Sequence, residues 1–185
     1  MNSQKEISDE QLIQEFLNPN SQEKAFKNIV EKYQERLYWH IRRILVDHED
    51  TNDVLQNTFI KAWKNLEKFR GESSLYTWLY RIGTNESLTF LEVKKRKTQH
   101  HLANNEIDFT TLVKGDKDFD FKKLEWKLQL AIQSLPEKQK IVFCMRYYDE
   151  VNYDDMSKIL DTSAGALKAS YHHAAKKIEE FLLNN

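Results

Sequence analysis

The chain has 185 residues, enough for one ordinary domain or two small ones, and its 40% hydrophobic side chains can fill a core. Four Gly and two Pro are too few for a many-turned β structure and favour helices. A single cysteine, Cys144, excludes an intramolecular disulfide framework and suits a reducing compartment, and a net charge of −1 excludes a uniformly basic nucleic-acid binder. No apolar run reaches the length of a bilayer span, and MNSQKEISDE has no apolar signal segment, so a cytoplasmic protein without membrane insertion is expected.

In chain order, Ser8 with Gln11 is a capping-box signal for a short helix with Leu12, Ile13, Phe16 and Leu17 apolar. Asn18-Pro19-Asn20 ends it. Asn20 with Glu23 then signals a long amphipathic helix through Ala25, Phe26, Ile29, Val30, Tyr33, Leu37, Trp39, Ile41, Ile44 and Leu45. Polar residues Asp47–Asn52 turn the chain. The following helical pattern puts Val54, Leu55, Phe59, Ala62, Trp63 and Leu66 on one face, with Asp53, Gln56, Asn57, Ile60, Lys61 and Lys64 towards the other. Phe69-Arg70-Gly71-Glu72-Ser73-Ser74 breaks the pattern, and Ser74 is placed to cap the next helix.

That next helix carries Tyr76, Trp78, Tyr80, Ile82, Asn85 and Phe90, then the run Lys94-Lys95-Arg96-Lys97. Aromatic rings stack on unpaired bases of any sequence while nearby cations hold phosphates, so a single-stranded nucleic acid is assigned here. The alternation of Tyr76, Trp78 and Tyr80 scatters them round a helix; some must be core, and Trp78 is the first choice for that. Residues 61–100 hold nine Lys/Arg against four Asp/Glu, whereas residues 1–58 hold seven against eleven. The basic charge therefore gathers beside the aromatics, a modest patch that predicts weak, salt-sensitive DNA binding by the isolated chain.

From Thr98 to Asp120 the periodicity fades and a flexible linker is expected. Fully extended, its 23 residues reach on the order of 75–80 Å. A second module starts near Phe121, with Leu124, Leu128, Ala131, Ile132 and Leu135 on a helix that stops at Pro136. Pro136–Tyr147 sends Ile141, Val142, Phe143 and Met145 inward. Asn152 with Asp155 caps a short helix bearing Met156, Ile159 and Leu160; Asp161-Thr162-Ser163 is the turn. A last helix then aligns Leu167, Tyr171, Ala174, Ile178 and Leu182. Short helix, tight turn and second amphipathic helix make a helix-turn-helix. The fold class is all-α: a four-helix module over 9–97, a linker over 98–120 and a helix-turn-helix module over 121–183.

No catalytic set emerges, and neither a cofactor nor a small-molecule substrate is expected. Asp116, Asp118 and Asp120 begin like a calcium loop, yet Phe121 stands where Gly is needed and Lys127 where the bidentate Glu belongs. The pairs His100-His101 and His172-His173 are adjacent, without the spacing of a zinc site, so no metal is assigned. Cys144 lies in an apolar run and reads as core.

DVLQNTFIKAW and FRGESSLYTWLYRIGTN resemble the second conserved region of bacterial sigma factors of the small extracytoplasmic-function group. LPEKQKIVFCMRYYDEVNYDDMSKILDTSAGALKASYHHAAKKI is similar to that group's fourth conserved region. The resemblance implies an alternative sigma factor, not an enzyme, that binds core RNA polymerase and directs promoter recognition, DNA melting and initiation.

It also implies residue roles. Taken alone, Phe69 and Ile82 read as core and Asn85 as helix surface. By resemblance, Lys61, Asn65, Phe69, Ile82 and Asn85 form the pocket for a base flipped from the minus-ten element. Tyr76, Tyr80, Arg81, Lys94, Lys95 and Arg96 would meet the melted strand and its phosphates. Asp53, Gln56, Asn57 and Ile60 would face the clamp helices of the polymerase's largest subunit, with Asn57 where the family typically has Glu. Ser163, Ala164, Lys168, Ser170, His172, His173 and Lys176 would meet the minus-thirty-five element. The family usually carries Arg near Ser170 and His173; without those guanine readers a weaker, more A/T-oriented preference is expected. An anti-sigma protein is the further implied partner. Two rival readings are an ordinary helix-turn-helix regulator and a nuclease using the acidic linker to hold metal.

Overall fold

The computed structural model describes residues 7–101 and 123–184, and among them forms eight α-helices and one 3₁₀ turn with no strand. The acidic run Asp116–Asp120 and most of the expected linker lie outside the described residues. The helices are α1 (Asp9–Phe16), α2 (Gln22–Leu45), α3 (His48–Asn65), α4 (Leu75–His101), α5 (Lys123–Gln133), α6 (Glu137–Tyr147), α7 (Tyr153–Leu160) and α8 (Ala164–Asn184).

The capping box of α1 forms as expected, with Ser8 and Gln11 exchanging bonds of 3.2 Å. Its first residue also ties it to α2: the Asp9 carboxylate accepts from the Tyr33 hydroxyl at 2.7 and 2.8 Å and from Lys32 at 2.9 Å. Leu12 and Phe16 are the buried residues of α1, and the Phe16 ring meets the edge of Trp63 at 5.2 Å. Phe26 joins Trp63 at 5.0 Å and Phe59 at 6.3 Å, so one aromatic cluster clamps α1, α2 and α3. Edge-to-face pairs of this kind add about 0.5–1.5 kcal/mol each beyond simple burial.

Two local expectations need correcting in α2. Asn18 draws the Asn20 amide into a turn at 3.1 Å, so Ser21 rather than Asn20 precedes the helix. Trp39 is 42% exposed, and the adjacent His40 takes the inward position at 1%. A helix turns about 100° per residue, so Leu37, Ile41 and Ile44 select the face that includes position 40 and exclude 39.

In α3 the inward positions include Thr51 and Thr58, which apolar periodicity passes over. Their hydroxyls turn back onto the carbonyls of Asp47 and Val54, which satisfies them inside the core. Thr84 and Ser87 do the same in α4 at 2.8 Å. Helix α4 continues through His101, four residues beyond the end expected at Lys97.

In the second module Pro136 opens α6, Asn152 caps α7 by accepting from the Asp155 amide at 2.9 Å, and Asp161 ends α7 in the left-handed region (φ 49°). Ser163 caps α8, accepting from the Ala166 amide at 3.3 Å. The two modules pack together through α6 and α7. Phe143 and Cys144 of α6 join a core with Ala131, Ile132, Leu135, Ala174 and Ile178. Ile141, Val142 and Met145 on the same helix join the core that holds α1 to α4.

Candidate nucleic-acid interface

The loop between α3 and α4 carries the site. Leu66–Lys68 tightens into a 3₁₀ turn, Phe69 leaves it extended, and Gly71 adopts φ +72°, a conformation that L side chains strain to reach. Ser74 then accepts from the Thr77 amide at 3.1 Å, which starts α4 and fixes where the loop rejoins it. Phe69 lies 5.3 Å from the Trp78 ring, tilted by 52°. Around them opens a cavity of about 490 Å³, lined from this module by Lys68, Phe69, Arg70, Glu72, Ser73, Thr77, Trp78 and Arg81. An aromatic wall, a hydroxyl and several cations suit a base with its phosphates.

Of the five residues assigned to a base pocket, Phe69 alone lines this cavity. Lys61 is paired with Glu86, and the Asn65 amide donates back to the Lys61 carbonyl at 2.8 Å. Asn85 presents its side chain on the open face of α4, while Ile82 is half-buried against the core. Trp78, Thr77 and Arg70 were missed as lining residues because a helical pattern cannot say which of its faces a preceding loop folds over.

The strand-stacking assignment to Tyr80 is corrected. Tyr80 is 1% exposed, donates its hydroxyl to the Arg36 carbonyl at 3.2 Å and lies against His40 at 4.6 Å. It is the core ring that Trp78 was expected to be; Trp78 is only half-buried. Tyr76 lies 4.2 Å from the Tyr80 ring, tilted by 39°, with the Arg36 guanidinium 4.7 Å over its own ring, and its side chain is half-buried. Arg81, Lys94, Lys95 and Arg96 are exposed along α4, with Lys94 held at 2.5 Å by Asp50 and Arg96 at 3.9 Å by Glu92.

On α3, Asp53, Gln56, Asn57 and Ile60 are all exposed at helical spacing and form one stripe, with Ile60 at 44%. On α8, Ser163, Lys168, His172, His173 and Lys176 are exposed, while Ala164 and Ser170 are half-buried. Lys168 is drawn to 5.7 Å over the Tyr153 ring. Among the described residues no group of three His, Cys, Asp or Glu is arranged to hold a metal ion, and no helix is long and apolar enough to cross a membrane.

Residues 29–97 match the family model of sigma-70 region 2 and residues 125–178 that of sigma-70 region 4. The ECF RNA polymerase sigma-E factor of Haemophilus influenzae is 30% identical over 182 residues, covering 94% of this chain and 95% of that protein. The chain belongs to the extracytoplasmic-function sigma factors. The RNA polymerase sigma-H factor of Pseudomonas aeruginosa is 28% identical, covering 94% and 93% of the two chains. In fold, this sigma factor resembles RpoE of Bartonella quintana, solved with the anti-sigma factor NepR (TM-score 0.70, 20% identity, covering 86% of this chain and 97% of that one). It also resembles CnrH, solved with the cytosolic domain of CnrY (TM-score 0.68, 18% identity, covering 94% and 96%). As a member of this family the protein is an alternative sigma factor, which directs promoter recognition and transcription initiation and is not an enzyme.

One arrangement had no signal in the sequence. The cavity of Phe69 is also lined by Lys158 and Asp161 of the second module. Beneath it, Asp149 reaches Arg43 at 2.6 Å and His40 at 2.9 Å, and Lys140 reaches the Ile44 carbonyl at 3.3 Å. Burial lowers the Lys140 ammonium from its ordinary range and pushes the Cys144 thiol up to about 12, where the nearby Asp149 carboxylate adds to the effect. These contacts join positions about a hundred residues apart, beyond the reach of any periodicity.

Proposed function

We propose that residues 9–97 form the polymerase-docking and minus-ten module and residues 121–183 the minus-thirty-five module. The α3 stripe Asp53, Gln56, Asn57 and Ile60 meets core RNA polymerase. The Phe69 loop, with Trp78 and Arg81, takes a base of the melted strand, while Lys61, Asn65, Ile82 and Asn85 approach it from the adjoining helix faces. Arg81, Lys94, Lys95 and Arg96 hold phosphates, with Tyr76 beside them. In the helix-turn-helix, the amides at the start of α8 and Lys168 hold backbone phosphates while Ser170, His172, His173 and Lys176 approach the major groove. The protein works in the cytoplasm.

The observation that carries this reading is the open aromatic cavity at the Phe69 loop, on the same module as an uninterrupted exposed stripe of α3. RpoE of Bartonella quintana was solved in complex with an anti-sigma factor, which supports a partner of that kind here. Run-off transcription with core polymerase on a genomic fragment library tests the reading. New start sites should appear only when this chain is added, and their absence would overturn it.

A further inference from the structure

Helix α6 contributes to two cores, one within its own module and one shared by both modules. Phe143 and Cys144 serve its own core. Ile141, Val142 and Met145 are each at most 3% exposed and lie in a core that joins first-module side chains to Met156, Ile159 and Leu167 of their own module.

Polar groups give this contact its specificity. The Asp149 side chain follows α6 and is 5% exposed. One oxygen accepts from Arg43 at 2.6 Å and the other from His40 Nδ1 at 2.9 Å. Because a carboxylate only accepts, Nδ1 must carry the proton. His40 in turn is fixed by Thr84 at 2.8 Å from its other nitrogen and by the Tyr80 ring, and the Arg43 guanidinium lies 4.5 Å over Tyr148. Removal of Asp149 takes the acceptor oxygens away from the Arg43 guanidinium and the His40 ring N–H at this interface. Breaking such a buried set is far more damaging than breaking a surface pair.

The closed form, with the two modules packed together, is incompatible with the proposed work. The names of the two promoter elements place them about 25 base pairs apart, roughly 85 Å of duplex at ~3.4 Å per step. A closed chain of this length has a radius of gyration of only about 16 Å. Moreover Lys158 in the last turn of α7 and Asp161 at the turn of the helix-turn-helix sit at the Phe69 cavity.

We propose that this chain inhibits itself: Asp149, seated between Arg43 and His40, bolts the helix-turn-helix module over the Phe69 cavity, and its release is required before either promoter element is engaged. The inhibitory part rests on the proposed sigma function; the closed state does not. Small-angle scattering of the free full-length chain reads the two apart. Wild type should stay near ~16 Å, while Asp149→Arg, which sets a second cation against Arg43 and removes the acceptor of His40, should exceed about 20 Å.

Arg43→Gln, a change on the opposite module, should open the chain in the same direction. The exposed Glu179→Arg carries the same charge change as Asp149→Arg and should stay compact. Unchanged far-UV helicity verifies that the modules remain folded; should Asp149→Arg lose helicity, Arg43→Gln decides. Equal radii for wild type and the folded latch variants would overturn the proposal, whether all are compact or all extended. In run-off transcription at limiting protein, the opened variants should exceed wild type at least threefold. An opened radius without any transcription would retain the bolt and remove the sigma reading.

Discussion

Phe69 and Trp78 stand 5.3 Å apart and tilted by 52°, one on a loop and the other on the first turns of α4. The pair makes the aromatic wall of the cavity, and Phe69 is held there by the 3₁₀ turn behind it. Since stacking contributes about 1–3 kcal/mol per base, Phe69→Ala should slow promoter opening by roughly one to two orders of magnitude. Polymerase binding should be unchanged, because the α3 stripe is untouched. Permanganate reactivity of the melted thymines measures the first and a pull-down with core polymerase the second; normal reactivity would remove Phe69 from the site.

The α3 stripe makes a separate prediction. Asp53 and Gln56 are exposed and cap no helix, so replacing both with Ala should cost little stability. Core-polymerase recovery in a pull-down should nevertheless fall at least tenfold, while far-UV helicity and thermal midpoint stay at wild-type values. Wild-type recovery would mean that this face is only solvated.

Cys144 gives an alkaline signature. Its thiol is 1% exposed in the core of the second module, and burial pushes it up to about 12. The unfolded chain loses this proton near pH 8.5 and the native chain retains it, so between those values the native state binds more protons. The contribution is fully present below about pH 8.5 and is lost as pH rises towards 12, at up to ~1.4 kcal/mol per pH unit. Denaturant unfolding between about pH 8 and 10 should show this decline, and Cys144→Ala should flatten it. At about pH 8 an aromatic disulfide reagent should label the native protein at a small fraction of its rate for the unfolded chain.

Two glycines should respond oppositely to alanine. A methyl at Gly83 would meet Ile41 and Leu37 side chains at 3.5 Å, an ordinary contact inside a helix. Gly83→Ala should therefore raise stability by roughly 0.5–1 kcal/mol through helix propensity. Gly71 has open space around it, yet its φ of +72° is strained for any L side chain. Gly71→Ala should cost about 1–2 kcal/mol and should loosen the Phe69 loop. Thermal melts compare the two; a stabilised Gly71→Ala would contradict the loop geometry.

The sequence by itself determined the all-α class, the four helices and the helix-turn-helix, because those rest on local periods and on caps formed within three residues. Ser8 with Gln11, Ser74 with Thr77 and Asn152 with Asp155 each make the bond their spacing called for. The family was legible too, since its motifs are contiguous stretches. Tertiary structure alone decided which neighbour on a helix turns inward, His40 over Trp39 and Tyr80 over Trp78, because each choice depends on the shape of the facing helix. It also decided that Asp149 lies between Arg43 and His40. That contact spans more than a hundred residues, and a carboxylate on an exposed-looking turn carries no local mark of the partner that buries it.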